Sequence, residues 1–500
     1  MEIAENSPVI IMFSIYVLGM MAIGWVGYRA TTDFSDFVLG GRKLGAFVVA
    51  LAAGASDMSG WLLMGLPGAI FLSGVSEAWI AIGLLLGAYL NWKFVALRLR
   101  VYTEKSGNAL TLPDFFANRF HDSGNVLRVV SALVILIFFT LYAASGIVAG
   151  ARLFESMFGM EYATALWLGA LCTVAYVFIG GFLAVSWTDT IQASLMFTAL
   201  VLAPVMIIYS MGGVGPSVAV IENWSPSHLD LFNNMTIVGI VSMLAWGLGY
   251  FGQPHILVRF MAADSPRSIP SARRIGMSWM FMCLLGAVAV GVFGAGYFHV
   301  NPQHAAGVNQ NAERVFIEAA IYLFNPWVVG ALLAAILAAV MSTLSAQLLV
   351  CSSSLTQDLY AVFIRRNASQ NERVWFGRAM VLTVSLVAIA LAWDPNSRVL
   401  GMVSYAWAGF GAAFGPVVLL SLFWSGMTRQ GALAGMVVGA ATVLIWKHFA
   451  WFGLYEILPG FALGTLAAVV VSLLAPNTDR RVQKTFDSVH AEILALRMSR

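Results

Sequence analysis

Apolar runs long enough to cross a bilayer recur thirteen times along this chain, and the polar connections between them are mostly short. An α-helix rises about 1.5 Å per residue, so roughly 20 apolar residues cross a hydrocarbon core about 30 Å thick. Lipid offers no partner to a backbone N–H or C=O, so runs of this length are expected to fold as helices. They fall near 8–28, 46–72, 77–97, 126–158, 162–183, 190–211, 236–258, 275–298, 326–356, 377–393, 399–425, 430–450 and 453–475. Hydrophobic residues make up 60% of the chain and charged residues only 10%. A soluble domain cannot enclose that much apolar surface, so the expected class is an all-α polytopic membrane protein in contact with lipid.

Positive charge sets the expected orientation. With the N-terminus outside, only Arg152, Arg314, Arg398 and Lys447 fall on the outer side, and the other 23 of the 27 Lys and Arg fall inside. Such a bias is the cytoplasmic signature of membrane proteins. An odd count of helices then places the C-terminus inside. The acidic start, MEIAENS, lacks a basic leader, so the first run is expected to be a membrane helix and not a cleaved signal. The segment RRVQKTFDSVHAEILALRMSR after the last run has helical periodicity and is expected to form a short cytoplasmic amphipathic helix.

Several function classes fall away. The net charge of +3 is small and suggests no nucleic-acid role. No connection has room for a nucleotide-binding module and no GxxxxGK[ST] occurs, so ATP-driven transport is not expected. Cys172, Cys283 and Cys351 sit in apolar runs without CxxC spacing and are expected to be buried, reduced thiols. A membrane enzyme would need a convergent acid–base or metal cluster, and none is visible beyond Asp57. A sensor would carry a signalling domain after the last helix, and the tail is not expected to hold one. No cofactor and no obligate protein partner is indicated.

Asp57 is the only charge in AFVVALAAGASDMSGWLLMGLPGAIFL, the second run. A carboxylate half a bilayer deep costs at least ~2.5 kcal/mol and persists only with partners or in a wet cavity. Gly54, Ser56, Ser59 and Gly60 around it loosen a helix. The seventh run is interrupted in the same way at GLGYFGQP, residues 247–254. Five helices separate the two breaks, and an odd offset inverts the second set of five relative to the first. Paired broken helices in inverted repeats point to a transporter site at the midplane. Close helix packing explains most of the 47 glycines, but not a cluster flanking an ionised Asp.

The run GGFLAVSWTDTIQ, residues 180–192, resembles the GG-x-x-A-x-x-W-x-D-x-x-Q signature of the sodium/solute symporter family. SDMSGW and AAVMSTLSAQLLVCSSSLTQDLY are similar to that family too, and nearly the whole chain resembles its proline-carrying members. The resemblance implies a LeuT-type core of five plus five helices, built from the second to eleventh runs. The expected organisation is a first helix and inner connection (1–45), a first repeat (46–211), a second repeat (236–425), two further helices (426–476) and a cytoplasmic tail (477–500). It also implies Na⁺-coupled symport of L-proline in a bacterial inner membrane, with another small carboxylate, amino acid or osmolyte as the alternative cargo.

Na⁺ is a hard cation that prefers oxygen ligands. Ala339, Ser342 and Thr343 share one helix face at i, i+3 and i+4. Their hydroxyls equally suit back-bonding to the preceding turn. The resemblance places them opposite the carbonyls of Ala55 and Met58, the five together holding Na⁺, with Asp57 supporting affinity nearby. For proline, the breaks offer backbone N–H groups to a carboxylate, and aromatic walls suit the ring and its cationic nitrogen. The resemblance assigns Ser59, Trp61, Tyr142, Trp246, Tyr250 and Pro254 to this neighbourhood, and Gly60 lies in the same break. Arg42 is either an inner-face anchor or a gate residue that pairs with an acid. Asp189 opens the sixth helix either as an N-cap or, by the signature, as a contributor to Na⁺ affinity.

Overall fold

The computed structural model describes residues 7–31, 33–476 and 479–498. The acidic residues 1–6 and Arg500 lie outside them. The described residues are almost entirely helical, with no strand and a single bridge between Leu44 and Ala263. In chain order the main helices are α1 (Ser7–Ala30), α2 (Ala46–Asp57), α3 (Trp61–Ser73), α4 (Val75–Lys105), α5 (Val126–Phe158), α6 (Tyr162–Ala175), α7 (Gly181–Ser210), α8 (Ile237–Gly252) and α9 (Pro254–Met261). They continue with α10 (Pro266–Val300), α11 (Pro326–Ile364), α12 (Gln370–Leu391), α13 (Val399–Phe423), α14 (Arg429–Phe449), α15 (Ile457–Leu474) and α16 (Arg480–Met498).

Ten of these, among the described residues, are long and apolar enough to cross a membrane. The pairs α2–α3 and α8–α9 are bent by 61° and 45° at short breaks, and each taken as one span raises the count to twelve. α6 is apolar but shorter.

α11 lies at the centre, with 89% of its apolar window buried against 28% for α1, α14 and α15. It packs on α1, α2, α5 and the α6–α7 pair, while α13 packs on α5, α8, α14 and α15. α10 lies along both halves of the first broken helix. Both breaks are therefore enclosed by helices and not by lipid, the condition under which non-helical backbone survives at this depth. Leu171, Leu202, Leu386 and Leu466, by contrast, stay exposed on the outer helices, as a lipid-facing belt requires.

The fifth and sixth runs differ from expectation. Helical backbone continues from Tyr162 to Ser210 with one bend at Gly181, at φ 65° and ψ −169°. A side chain is strained at that φ, and a Cβ would lie 2.8 Å from the Phe37 ring. α7 thus begins well before Asp189, which is an interior helical residue and not an N-cap. Cys283 and Cys351 are buried as expected, but Cys172 is only half-buried on α6; all three are free thiols.

The tail forms the amphipathic helix α16, which buries Val482, Val489 and Ile493. It docks on the end of α4 through a Lys105–Glu492 ion pair of 2.8 Å and an edge contact between Tyr102 and Phe486.

Candidate functional site

The first break follows from its residues. α2 stops at Met58, whose φ of −83° and ψ of 78° leave the helix after its N–H reaches back to the Gly54 carbonyl. The Ser59 hydroxyl accepts the Trp61 N–H at 3.4 Å, and the Trp61 indole donates to the Asp57 carbonyl at 3.3 Å. Gly60 is required by close approach: a Cβ there would lie 2.8 Å from the Ala149 methyl group.

The second break is an eight-residue 3₁₀ turn, Ala245–Gly252, unusually long for that tight winding. Gln253 is extended at ψ 107°, as a residue before proline prefers, and Pro254 opens α9 at its first turn.

Across the first break stands α11. The Ser342 hydroxyl lies 2.8 Å from the Ala55 carbonyl and 3.0 Å from the Ala339 carbonyl, and the Thr343 hydroxyl lies 3.3 Å from the same Ala55 carbonyl. Four of the five expected cation ligands therefore meet as one buried oxygen cluster. Both hydroxyls reach across to α2 instead of only bonding back along their own helix. Met58 shares the break, but no described hydrogen bond ties it to the cluster. Each hydroxyl now donates to a carbonyl; rotated, it turns a lone pair inward, so the set fits a small hard cation.

Asp57 is buried beside this cluster. Its Oδ2 accepts the Tyr250 hydroxyl, a direct link between the two breaks, and its Oδ1 has no partner among the described residues. Tyr142 is buried, and its hydroxyl has no hydrogen-bond partner among the described residues. Tyr142 meets the His255 ring edge-on at 6.0 Å.

Trp246 occupies a different level. It stacks on Tyr455 at 5.5 Å and lines a vestibule of about 990 Å³. That vestibule opens among Arg152, Arg314, Arg398 and Lys447, the four basic residues that charge counting sets on one side. Pro254 lies elsewhere, beside Phe182, Leu349 and Ser353 in a small void. The aromatic set expected around a substrate is thus split. Trp246 lines the vestibule, Trp61, Tyr142 and Tyr250 are buried and do not line it, and Pro254 lines a separate small void.

The opposite end is closed by polar ties. Arg42 donates to the carbonyls of Met261 at 2.5 Å and Ala109 at 2.9 Å, and to Asn108 and Thr103. The expected acid partner is absent among these contacts. Burial and Arg100 push the Arg42 guanidinium down to about 10, with Glu104 opposing, so it keeps its charge at neutral pH. Asp189 forms a fully buried pair with Arg259 at 2.9 Å, and Arg259 lies over the Phe182 ring. No described contact joins Asp189 or Arg42 to the oxygen cluster.

Three contributors escaped sequence reasoning. Trp407 donates to the Trp246 carbonyl at 2.7 Å and accepts from Gln253 at 3.1 Å, bracing the second break from α13. Asn91 donates to the Tyr250 carbonyl at 3.0 Å. Glu313 accepts the N–H groups of Val399 and Leu400 at the mouth of the vestibule. Burial raises its carboxyl above the ordinary value, while those donors and the nearby arginines pull it back.

Two interrupted helices, a buried hydroxyl–carbonyl cluster at one break and an aromatic-lined vestibule at the other define a membrane protein with an enclosed polar site between its broken helices. The sequence model of the Sodium:solute symporter family matches residues 37–439, and the chain belongs to that family. The chain is 64% identical over 488 residues to the sodium/proline symporter of Escherichia coli (strain K12), covering 98% of this chain and 97% of that protein. It is 53% identical over 469 residues to a high-affinity proline transporter of Bacillus subtilis (strain 168), covering 94% and 98%. Among solved structures, a Na⁺-coupled sialic acid symporter in a substrate-bound, outward-open state shares the fold. Its TM-score is 0.80 at 17% identity, covering 94% of this chain and 98% of that one.

Proposed function

We propose that this chain is a secondary active transporter that couples the Na⁺ gradient to import of L-proline by alternating access across a bacterial inner membrane. Relatives at 64% identity are named for that cargo and that ion. The observation that carries the reading is the convergence of Ser342 and Thr343 on the Ala55 carbonyl.

Na⁺ binds at Ala55, Met58, Ala339, Ser342 and Thr343. Asp57 supplies a nearby negative charge without ligating, and Arg42 and Asp189 support Na⁺ affinity from the inner end. Proline binds between the breaks, against Ser59, Gly60, Trp61, Tyr142, Trp246 and Tyr250, with Pro254 shaping the second break. The chain crosses the membrane thirteen times with α6 as the additional span, its N-terminus outside and its C-terminus inside. Segments 46–211 and 236–425 act as inverted repeats of a LeuT-type core, flanked by 1–45, 426–476 and the tail 477–500. The vestibule opening among the four outer basic residues supports an outward-facing state.

Because Tyr250 of one break bonds Asp57 of the other, occupancy of either site biases the geometry of both. Linkage then requires Na⁺ and proline to raise each other's affinity by the same factor. The test is uptake of radiolabelled proline into proteoliposomes with an imposed Na⁺ gradient. Accumulation that follows the gradient is expected. Proline uptake indifferent to Na⁺ refutes the coupling, and accumulation of another amino acid or osmolyte in its place refutes the cargo.

A further inference from the structure

Behind the Tyr250–Asp57 bond lies a chamber of about 20 Å³, walled by Trp92, Ile256, Phe260 and Met280 and by small residues of α2, α4 and α10. That is room for one water molecule. Asp57 and Asn91 both line it, and both are almost wholly buried. Each presents one acceptor without a partner among the described residues, Asp57 Oδ1 and Asn91 Oδ1.

The remaining polar atoms of both side chains are committed. Asp57 Oδ2 takes the Tyr250 hydroxyl, and Asn91 Nδ2 donates to the Tyr250 carbonyl. That second bond fixes the amide, because the flipped form would set two oxygens against each other. Asn91 also opens a π-turn, Asn91–Val95, a widened winding often found at functional positions. Asp57 and Asn91, each with an unpartnered buried acceptor, line one small space, and such acceptors call for either a molecule that donates two protons or a cation. A hard cation stripped of water needs a full oxygen shell, and these walls are mostly apolar.

We infer that Asn91 is a positioning residue that holds Asp57 through one buried water, which donates one proton to Asp57 Oδ1 and the other to Asn91 Oδ1. The water completes the hydrogen bonding of the carboxylate and fixes its plane, so that its charge stays directed at the neighbouring oxygen cluster. The role rests on the reading of Asp57 as the support for Na⁺ affinity. The water itself does not depend on that reading.

Two experiments test it. A high-resolution structure of the wild-type protein is expected to show one peak about 2.6–3.2 Å from both oxygens. No peak there, or a Tl⁺ signal at that point after exchange of Na⁺ for Tl⁺, overturns the inference. In proteoliposomes, Asn91→Leu fills the chamber as well as losing the tie to the Tyr250 carbonyl, and is expected to raise the apparent Na⁺ constant about tenfold, well beyond any change in proline KM at saturating Na⁺. Asn91→Ser, which leaves space and a hydroxyl, is expected to restore most of the Na⁺ response. If Asn91 only holds the Tyr250 carbonyl, Asn91→Leu shifts proline KM and leaves the Na⁺ constant alone, which also overturns the inference. Should Asn91→Leu fail to fold, the wild-type peak decides. Wild-type uptake without Na⁺ dependence would instead refute the functional reading and leave the water intact.

Discussion

Ser342→Ala removes the hydroxyl that stands 2.8 Å from the Ala55 carbonyl and 3.0 Å from the Ala339 carbonyl. In the Na⁺-bound state that oxygen would face the ion. A hydrogen bond to a charged group contributes about 1.5–3 kcal/mol, and a lost oxygen ligand in a buried site is comparable. One term opposes this. Without Ser342 the Ala55 carbonyl loses one of its two hydroxyl donors and turns more easily toward the ion. The lower end of that range is therefore expected, a rise of about tenfold in the apparent Na⁺ constant. Thr343→Ala, whose bond to Ala55 is longer at 3.3 Å, is expected to raise it by less. The assay is initial proline uptake in proteoliposomes across a Na⁺ series at fixed membrane potential. Ser345→Ala serves as the control, because its hydroxyl only bonds back to Ser342 in its own helix. A wild-type Na⁺ curve for Ser342→Ala, with normal folding and proline KM, would refute the argument that this cluster holds the coupling ion.

Three other substitutions address the rest of the site. Trp246→Ala opens the wall between vestibule and break and is expected to raise proline KM about tenfold while moving the Na⁺ constant less; unchanged proline affinity removes Trp246 from the site. Asp57→Asn keeps an acceptor for Tyr250 but discards the charge, so the Na⁺ response should weaken severely in the same uptake assay. A wild-type response would show that the charge is not used. Arg42→Gln loses ties to Met261 and Ala109 and should loosen the inner end. In a background without native cysteines, a Ser353→Cys thiol should then react faster with a soluble maleimide, and an equal rate would count against Arg42 as a closing element.

The ten long apolar helices were legible because apolar length is a local property, and so were the two breaks, because glycine clusters flank them. The hydroxyl–carbonyl cluster of Ala55, Ala339, Ser342 and Thr343 was partly legible. The i, i+3, i+4 spacing announced one polar face, but only the resemblance chose between a ligand face and back-bonding. Asn91, Trp407 and Glu313 were hidden for one reason: each acts on a carbonyl or N–H more than 80 residues away, and neither residue type nor spacing encodes that. Asp189 was misread because its helix was started too late. The Gly180–Gly181 pair marks the true bend, after which Asp189 falls inside α7 and opposite Arg259. Arg259 in turn looked like an ordinary inner-face charge until burial showed otherwise.

The two ends of the molecule are held by different chemistry, and that difference shapes the transport cycle. At the closed end, the Asp189–Arg259 pair and the Arg42 and Arg100 ties join α9 and its following turn to α7, the residues before α2 and the end of α4. Separating a buried ion pair without replacement costs about 3–5 kcal/mol. At the open end, the ion pairs near the vestibule are local or part-exposed: Arg152–Glu155 and Arg314–Glu318 lie within one stretch of chain, and Lys447 of the Lys447–Glu456 pair is half-exposed, while Trp246 stacks on Tyr455 and Glu313 caps α13. A ligand can shift such a balance only by binding the two states differently. The hydroxyl–carbonyl cluster bridges α2 to α11, so a Na⁺ ion held there as proposed would stabilise whichever state brings them together. If proline binds between the breaks as proposed, it touches both and so favours closing the vestibule. On the proposed cycle, neither ligand alone would replace the Arg259–Asp189 pair, whereas both together, with water entering to solvate the two as they part, would offset its loss. On that proposal, tight coupling depends on the strength of these ties: a weaker closed end would open with one ligand bound and leak Na⁺ or proline alone.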